Sequence, residues 1–358
     1  MRTIHTEKYY DTTPHMVDVY NRNARSMGFC CENDNEFLIW QDKVRQKLFE
    51  IIGMDMMEKC EPEPELLGSQ KMDGYTRNKI TIQVEPGVRM PFYQLIPDIY
   101  KDNMILPCMI TTHGHSSGGK YSPAGRKDIP AIKDQIDGYN YDYGVRFAKK
   151  GYMVFCPDAR AFGERREWMK QNDNEEDFLT STCIPLNHIA ISLGMSLTGM
   201  WSWDLMRLTD YIQTRADCDH ERIGCAGLSG GGLQTLWLAA MDERIKCAVV
   251  SGYFYGYLDS LLKLSGNCGC NYVPGLWRYV DMGDLGALVA PRALLIETGS
   301  DDPLNGERGI INVIEQVGIT KRAYAVAGAE NNLYHHIFKG GHKWDGEKTY
   351  DFVADHLI

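Results

Sequence analysis

One segment constrains the fold more tightly than any other: Arg222-Ile-Gly-Cys-Ala-Gly-Leu-Ser229-Gly-Gly-Gly-Leu-Gln-Thr-Leu-Trp. It reads as a short apolar strand, a glycine-dense turn with a serine at its apex, and a helix. Gly227-Leu-Ser229-Gly-Gly231 is a G-x-S-x-G turn. A serine on so sharp a turn sits in strained backbone, and neighbouring chain must pass close by. Glycines at 227 and 231 remove the β-carbons that would clash. The helix that follows aims its first N–H groups at negative charge forming beside the serine. Gly114-His-Ser116-Ser-Gly118 fits the same spacing, but it leads into Gly-Gly-Lys-Tyr-Ser-Pro-Ala-Gly, which is loop composition. Ser229, with strand, turn and helix in order, is therefore the expected nucleophile.

Strands and helices alternate along most of the chain. Residues 1–35 show no clear period and are expected to form an irregular arm. Residues 35–52 carry Phe37, Trp40, Val44, Leu48 and Ile51 at helical spacing. Glu61-Pro-Glu-Pro-Glu reads as a charged linker. Strands are expected at 78–84, 90–96, 106–112, 152–157, 222–226, 247–251, 293–298 and 335–338, and a closing helix at 347–357. This alternation predicts an α/β fold: a mostly parallel central sheet with helices on both faces and an N-terminal helical extension. Residues 1–75 form the arm and amphipathic helix, packed on a catalytic domain at 76–358. Segments 161–200 and 252–285 are longer than plain connections and are expected to form pocket walls. The N-terminal helix could pack on its own sheet or on a second subunit; the sequence leaves both open.

A nucleophilic serine needs a base, and the base needs a carboxylate to orient it. Gly299-Ser-Asp301-Asp302-Pro303 follows the strand ending at Thr298, where open α/β sheets place site residues. Asp302 is preferred to Asp301, because the residue before proline is held extended. Among ten histidines, His342 in Gly340-Gly-His-Lys-Trp lies between the last strand and the last helix. It is preferred to His335 and His336, which fall within the strand. An oxyanion hole needs two backbone donors, expected from Gly230 and from His115 in the loop after an early strand. His113, Ser116, Tyr253 and Tyr272 are expected to contact substrate. The aromatic-rich stretch 252–280 could stack a sugar or an aromatic acyl group, or belong to the core or an interface.

A formal charge of −10 and the lack of any basic run argue against nucleic acid as a partner. The first thirty residues carry no secretory pattern and no apolar run approaches a membrane span, so a cytoplasmic protein is expected. Eleven cysteines, an odd number, fit reduced thiols better than a disulfide framework. Cys268 and Cys270 lack the spacing and second ligand pair of a zinc knuckle. His113 and His115 have metal-site spacing, but no third ligand is evident beside them. The expectation is no metal and no organic cofactor.

Taken together, the motifs resemble bacterial α/β-hydrolases of the dienelactone-hydrolase and acetyl-xylan-esterase-like branch. The resemblance covers most of the chain. It runs through the helix with Trp40, the His113-Gly-His loop, Asp158-Ala-Arg-Ala-Phe-Gly-Glu-Arg165 and Gly199-Met-Trp-Ser-Trp-Asp204 with Arg207, Asp210 and Tyr211. It continues in Gly227-Leu-Ser-Gly-Gly231, Cys270-Asn-Tyr-Val-Pro-Gly275 and Gly340-Gly-His-Lys-Trp344. The resemblance implies an α/β-hydrolase fold, a Ser229–Asp302–His342 triad and carboxylic-ester hydrolysis; a short-acyl, acetyl-type esterase acting on a small-molecule or carbohydrate ester is expected. Ala161 departs from the pattern, standing where such proteins usually have glycine, so the loop after Asp158 is expected to differ in shape. Arg160, Glu164 and Arg165 are expected to form a structural ion network. A peptidase or amidase of the same fold, a lactone hydrolase and an inactive binding module are the rival readings. The absence of a screening β-propeller, the serine apex and the complete set of three residues weigh against them in turn.

Overall fold

The computed structural model describes residues 6, 8–264 and 266–358. Its strands are β1 (Glu65–Lys71), β2 (Tyr75–Glu85), β3 (Val88–Pro97), β4 (Leu106–Thr112), β5 (Met153–Pro157), β6 (Cys218–Leu228), β7 (Ile245–Ser251), β8 (Ala293–Gly299) and β9 (Leu333–Phe338). They form one nine-stranded sheet in the order β1-β2-β3-β5-β4-β6-β7-β8-β9. Strands β1 to β3 pair antiparallel, β3 joins β5 antiparallel, and every pairing from β5 through β9 is parallel.

The helices are α1 (Thr13–Asn23), α2 (Asp34–Ile51), α3 (Pro130–Tyr139), α4 (Tyr143–Lys149), α5 (Glu175–Leu179), α6 (Cys183–Ser192), α7 (Leu197–Gln213), α8 (Gly230–Met241), α9 (Met282–Val289), α10 (Ile310–Val326) and α11 (Thr349–Leu357). Alternation along the strands builds two cores. Met153 and Phe155 of β5 pack with Leu205 of α7, Leu236 of α8 and Leu285 of α9 on one face. Val154 and Cys156 pack with Phe147 of α4 and Val353 of α11 on the other. A strand covered on both faces has no reason to alternate polar with apolar, and all seven residues of β4 are buried. Among the described residues no single helix is long and apolar enough to cross a membrane.

Two N-terminal elements differ from the sequence reading. Helix α1 forms where an irregular arm was expected. None of its residues is buried, so no apolar stripe marks it; it is held by contacts such as the Tyr20 hydroxyl donating to Asp281 at 3.0 Å. Strand β1 begins at the end of the charged linker and runs through residues to which the sequence reading gave no element, on the N-terminal side of the 75/76 boundary, and it pairs with β2. As an edge strand exposed along its whole length, it has no buried face to impose a pattern. Helix α2 packs on its own chain: Gln41 donates to the carbonyls of Leu288 and Ala290, and Arg45 to those of Ala240 and Leu288.

The segment after β5 carries the expected ion network. Asp204 accepts from both Arg160 and Arg165, and Arg160 also reaches Glu85. Beside it, Lys120 is completely buried between Asp158, at 2.5 Å, and Glu164, at 2.9 Å. Burial disfavours the charge on Lys120, but Asp158, Tyr121 and Glu164 outweigh it and raise its pKa above the ordinary range. Glu164, though partly buried, is pulled down to about 2, chiefly by Lys120. Ala161 has φ +76, a left-handed position that favours glycine, with its N–H on the Arg165 carbonyl at 3.0 Å. Removing one partner of a fully buried pair leaves an uncompensated charge. Lys120→Met should therefore lower unfolding free energy by about 3–5 kcal/mol in urea denaturation. A loss below 1 kcal/mol would show that the pair is not needed to hold this turn.

Candidate active site

Strand β6 ends at Leu228 and helix α8 begins at Gly230, leaving Ser229 alone to make the reversal. It does so at φ +62, ψ −122, a conformation that L-residues avoid. The glycines explain why the turn can close. A β-carbon on Gly227 would lie 2.5 Å from the Gly231 carbonyl carbon and 2.3 Å from Thr112 Oγ1. One on Gly231 would lie 2.4 Å from the Thr112 carbonyl oxygen, and one on Gly114 would lie 3.1 Å from Ser229 Cβ. The loop after β4 is thus pressed against the serine. It is tied there by Thr112 Oγ1 donating to the Gly231 carbonyl (2.8 Å) and Gln234 Nε2 donating to the His113 carbonyl (2.8 Å).

Asp302 and His342 meet beside this turn. Nδ1 of His342 lies 2.6 Å from Oδ2 of Asp302, which is buried, and Oδ1 accepts the Leu304 N–H at 2.9 Å. Asp301 is exposed and His336 pairs instead with Asp345, so the structure separates the alternatives left open by sequence. The His342 ring packs on Gly252, whose added β-carbon would come within 3.0 Å of its Cε1. A buried carboxylate holds the loop that carries this histidine. Glu297 accepts from Ser251 Oγ (2.7 Å), Asp345 N (2.8 Å) and Gly346 N (2.7 Å). Burial raises its pKa, and those three donors act against the rise.

Gly230 and His115 line the cavity over Ser229. Gly230 opens α8, where helix geometry supplies no carbonyl for its N–H. The N–H of His115 likewise has no acceptor among the described residues. A cavity of 170 Å³ opens over the serine, lined by His115, Gly230, Tyr253, Tyr255, Asn271 and Leu304, with Gly266, Asn267 and Cys268 at one side. The wall comes from the 252–285 segment, while 161–200 supports it from behind through Phe162, which packs edge-on against His115.

Three residues expected at the substrate lie elsewhere. His113 is buried: its Nε2 accepts the Ala159 N–H at 3.1 Å and its Nδ1 faces the Gly114 carbonyl at 3.0 Å, so it joins two loops. Ser116 is exposed and outside the cavity lining. Tyr272 faces a separate groove beside Trp277, with its hydroxyl on the Leu261 carbonyl at 3.2 Å. Tyr253 lines the cavity as expected, and its hydroxyl donates to Asn271 at 2.8 Å. Tyr255, Asn271 and Leu304 were missed. Only aromatic density near 255 hinted at any of them.

Among the described residues, two clusters carry metal-ligand types. The atoms of Glu297, His336 and Asp345 lie within 4.8 Å of one another, but the donors already on Glu297 account for that carboxylate. His115, Cys183, Cys268 and Cys270 converge just as closely, on the cavity wall.

The sheet order, the strand–Ser229–helix turn and the loops gathered at the parallel edge define an α/β-hydrolase. The chain matches the Abhydrolase family over residues 17–350 and belongs to it. A Bacillus subtilis (strain 168) relative named "Putative hydrolase YtaP" is 26% identical over 291 residues, 80% of this chain and 88% of the relative. The crystal structure of "a putative acetyl xylan esterase" from Bacteroides fragilis NCTC 9343 superposes with TM-score 0.74 at 19% identity, covering 92% of this chain and 82% of the other. A glucuronoyl esterase from Solibacter usitatus gives TM-score 0.64 at 15% identity, covering 94% and 97%. The fold of the acetyl-xylan-esterase-like branch, expected from the sequence motifs, is the fold observed.

Two consequences of the packing can be measured. Gly231→Ala places a methyl group against the Thr112 carbonyl and should destabilise the protein by roughly 1–3 kcal/mol or more. An unchanged denaturation midpoint would mean that the two loops do not approach so closely. Burial lowers the pKa of His113 to about 4. Below about pH 6.5 the unfolded chain takes up a proton there that the folded protein refuses, so stability falls as pH drops toward 4. His113→Asn should remove that contribution, roughly 3 kcal/mol at most, from the difference between pH 7 and pH 4. Equal pH slopes in wild type and variant would refute it.

Proposed function

We propose that the protein is a serine carboxylesterase that removes a short, acetyl-type acyl group from a small alcohol or carbohydrate. The reading is carried by one juxtaposition: the His342–Asp302 pair at 2.6 Å beside a serine held at φ +62. His342 takes the proton of Ser229 as the serine oxygen attacks the ester carbonyl. Asp302 fixes the imidazole tautomer and stabilises the imidazolium. The oxyanion is held by the N–H groups of Gly230 and His115, with the N-terminus of α8 adding its dipole. His342 then protonates the leaving alcohol, and water repeats the sequence on the acyl-enzyme. Serine, imidazole and carboxylate supply the nucleophile, the proton transfers and the charge stabilisation, so the scheme calls on no cofactor.

Ester cleavage is favoured by the relatives' kind. The names of the two solved structures, an acetyl xylan esterase and a glucuronoyl esterase, both describe action on carbohydrate esters. The short acyl group is favoured by the 170 Å³ cavity and its closure by Tyr253, Tyr255 and Leu304. Buried hydroxyls and aromatic rings in such a wall suit a sugar alcohol better than a long alkyl chain.

Hydrolysis of p-nitrophenyl acetate, butyrate and octanoate, with wild type beside Ser229→Ala and Asp302→Asn, tests both parts. Turnover should fall by roughly 10⁴ or more in each variant with the circular dichroism spectrum unchanged. Among substrates, activity should drop steeply beyond acetate. A folded Ser229→Ala protein with wild-type turnover would sink the mechanism, and octanoate hydrolysed as fast as acetate would sink the short-acyl assignment.

A further inference from the structure

The geometry points to a zinc site in the wall of the catalytic cavity, formed by His115, Cys183, Cys268 and Cys270. Their ligand atoms all lie within 4.8 Å of one another, and Nε2 of His115 is 3.4 Å from Sγ of Cys270. Zinc bound by thiolate at about 2.3 Å and by imidazole at about 2.0–2.1 Å in a tetrahedron sets S–N edges near 3.6 Å and S–S edges near 3.8 Å. The observed S–N separation of 3.4 Å is close to that edge, and every other separation among the four ligand atoms is within 4.8 Å. Three thiols and one imidazole form a closed, soft donor set that selects zinc among the common divalent ions and fits a structural role, not an open catalytic one.

The surroundings are built around this cluster. Cys183 and Cys270 are fully buried, Cys268 and His115 partly so, and all four are unbridged. The loop bearing two of the cysteines has its carbonyls tied from several sides. Asn187 of α6 donates to the carbonyls of Gly269 (2.7 Å) and Tyr272 (3.2 Å), Thr198 of α7 to that of Cys270 (2.5 Å), and Asn271 to that of Cys268 (3.1 Å). Gly269 packs on the backbone at Ile184, where an added β-carbon would lie 3.2 Å from Cα. This outer layer presents sulfur from two directions to the His115 ring, in the manner in which supporting hydrogen bonds orient metal ligands.

A metal here joins three segments that are far apart in sequence: the loop after β4, the start of α6 and the 266–271 cavity wall. The thiols bind as thiolates and release their protons to solvent. The metal assignment stands on ligand geometry alone. Its consequence for rate rests on the esterase reading, because His115 also supplies an oxyanion N–H, and zinc on its ring fixes that residue's backbone.

The test is metal content, which does not depend on hydrolysis. The full chain, purified without chelator, should carry close to one zinc per molecule by inductively coupled plasma mass spectrometry. Cys268→Ser with Cys270→Ser should lower it to near zero. His115→Ala, which alters a cavity-wall side chain and spares the buried thiols, should lower it too and serves if the cysteine variants fail to fold. Refilling the stripped wild type with Co²⁺ should give intense thiolate-to-cobalt charge transfer and tetrahedral visible bands, absent from the variants. A folded wild type that takes up neither zinc nor cobalt would overturn the site. So would zinc retained at full stoichiometry in folded variants, or a disulfide among the three cysteines in the freshly purified protein.

Discussion

Everything at the site depends on one backbone conformation, that of Ser229. An L-residue at φ +62 is held there only if the surroundings over-determine it. Here they do so from three sides. The Ser229 N–H donates to the Ser251 carbonyl at 2.9 Å, β4 presses the Thr112–Gly114 backbone against the turn, and α8 begins at the next residue. Each contact demands a residue without a β-carbon. Gly231 lies under Thr112, Gly232 against Ser251 and Tyr253, and Gly114 under the Tyr141 hydroxyl. The run of three glycines after the serine is thus a packing requirement of a parallel sheet whose β4 and β6 are neighbours.

The same logic extends outward to the histidine. His342 sits in a loop without regular structure, and such a loop needs fixed partners if it is to present an imidazole reproducibly. Glu297 provides them from the end of β8. It stands inside the sheet edge, where an unpaired carboxylate is costly, and spends its acceptors on Ser251, Asp345 and Gly346. Trp344 completes the anchor: its backbone N–H donates to the Tyr139 carbonyl at 3.0 Å and its ring stacks on Tyr143 at 4.4 Å. The Gly-Gly-His-Lys-Trp run therefore combines freedom to turn with one side chain that pins the turn to the far face.

What was legible in the sequence follows from these constraints. Ser229 follows β6 directly, and Asp302 and His342 lie in the turns after β8 and β9, so strand order and turn residues sufficed to single them out without tertiary information. The strands of the parallel sheet were visible because burial on both faces makes them continuous apolar runs. Where burial imposes nothing, the pattern vanished: β1 is exposed throughout and α1 buries no residue. The substrate wall was misread for another reason. His113 and Tyr272 are chemically suited to a site, and only the fold reveals that one is bonded into the loop beneath it and the other faces a neighbouring groove. Cys183 lies in a different segment from Cys268 and Cys270, and no spacing rule could group the three with His115.

The division between what was read and what was not marks two kinds of construction in this molecule. The groups proposed to react follow the ends of β6, β8 and β9, in turns anchored to the sheet. Among the described residues, the cavity wall from Tyr253 to Asn271 has two short helical stretches, Leu258–Lys263 and Gly269–Asn271, and otherwise irregular chain. It is held by side-chain donors to its carbonyls, and a cluster of sulfur atoms lies at its base. A wall stapled from outside can change its lining residues without disturbing the sheet, provided its staples stay. In the proposed reading chemistry and selectivity are carried by separate parts, and the ring of His115 touches both: its Nδ1 edge lies over Gly230, where an added β-carbon would come within 2.8 Å, and its Nε2 lies 3.4 Å from Cys270 Sγ. The wall meets the serine turn through that ring and through Tyr253, which packs on Gly232.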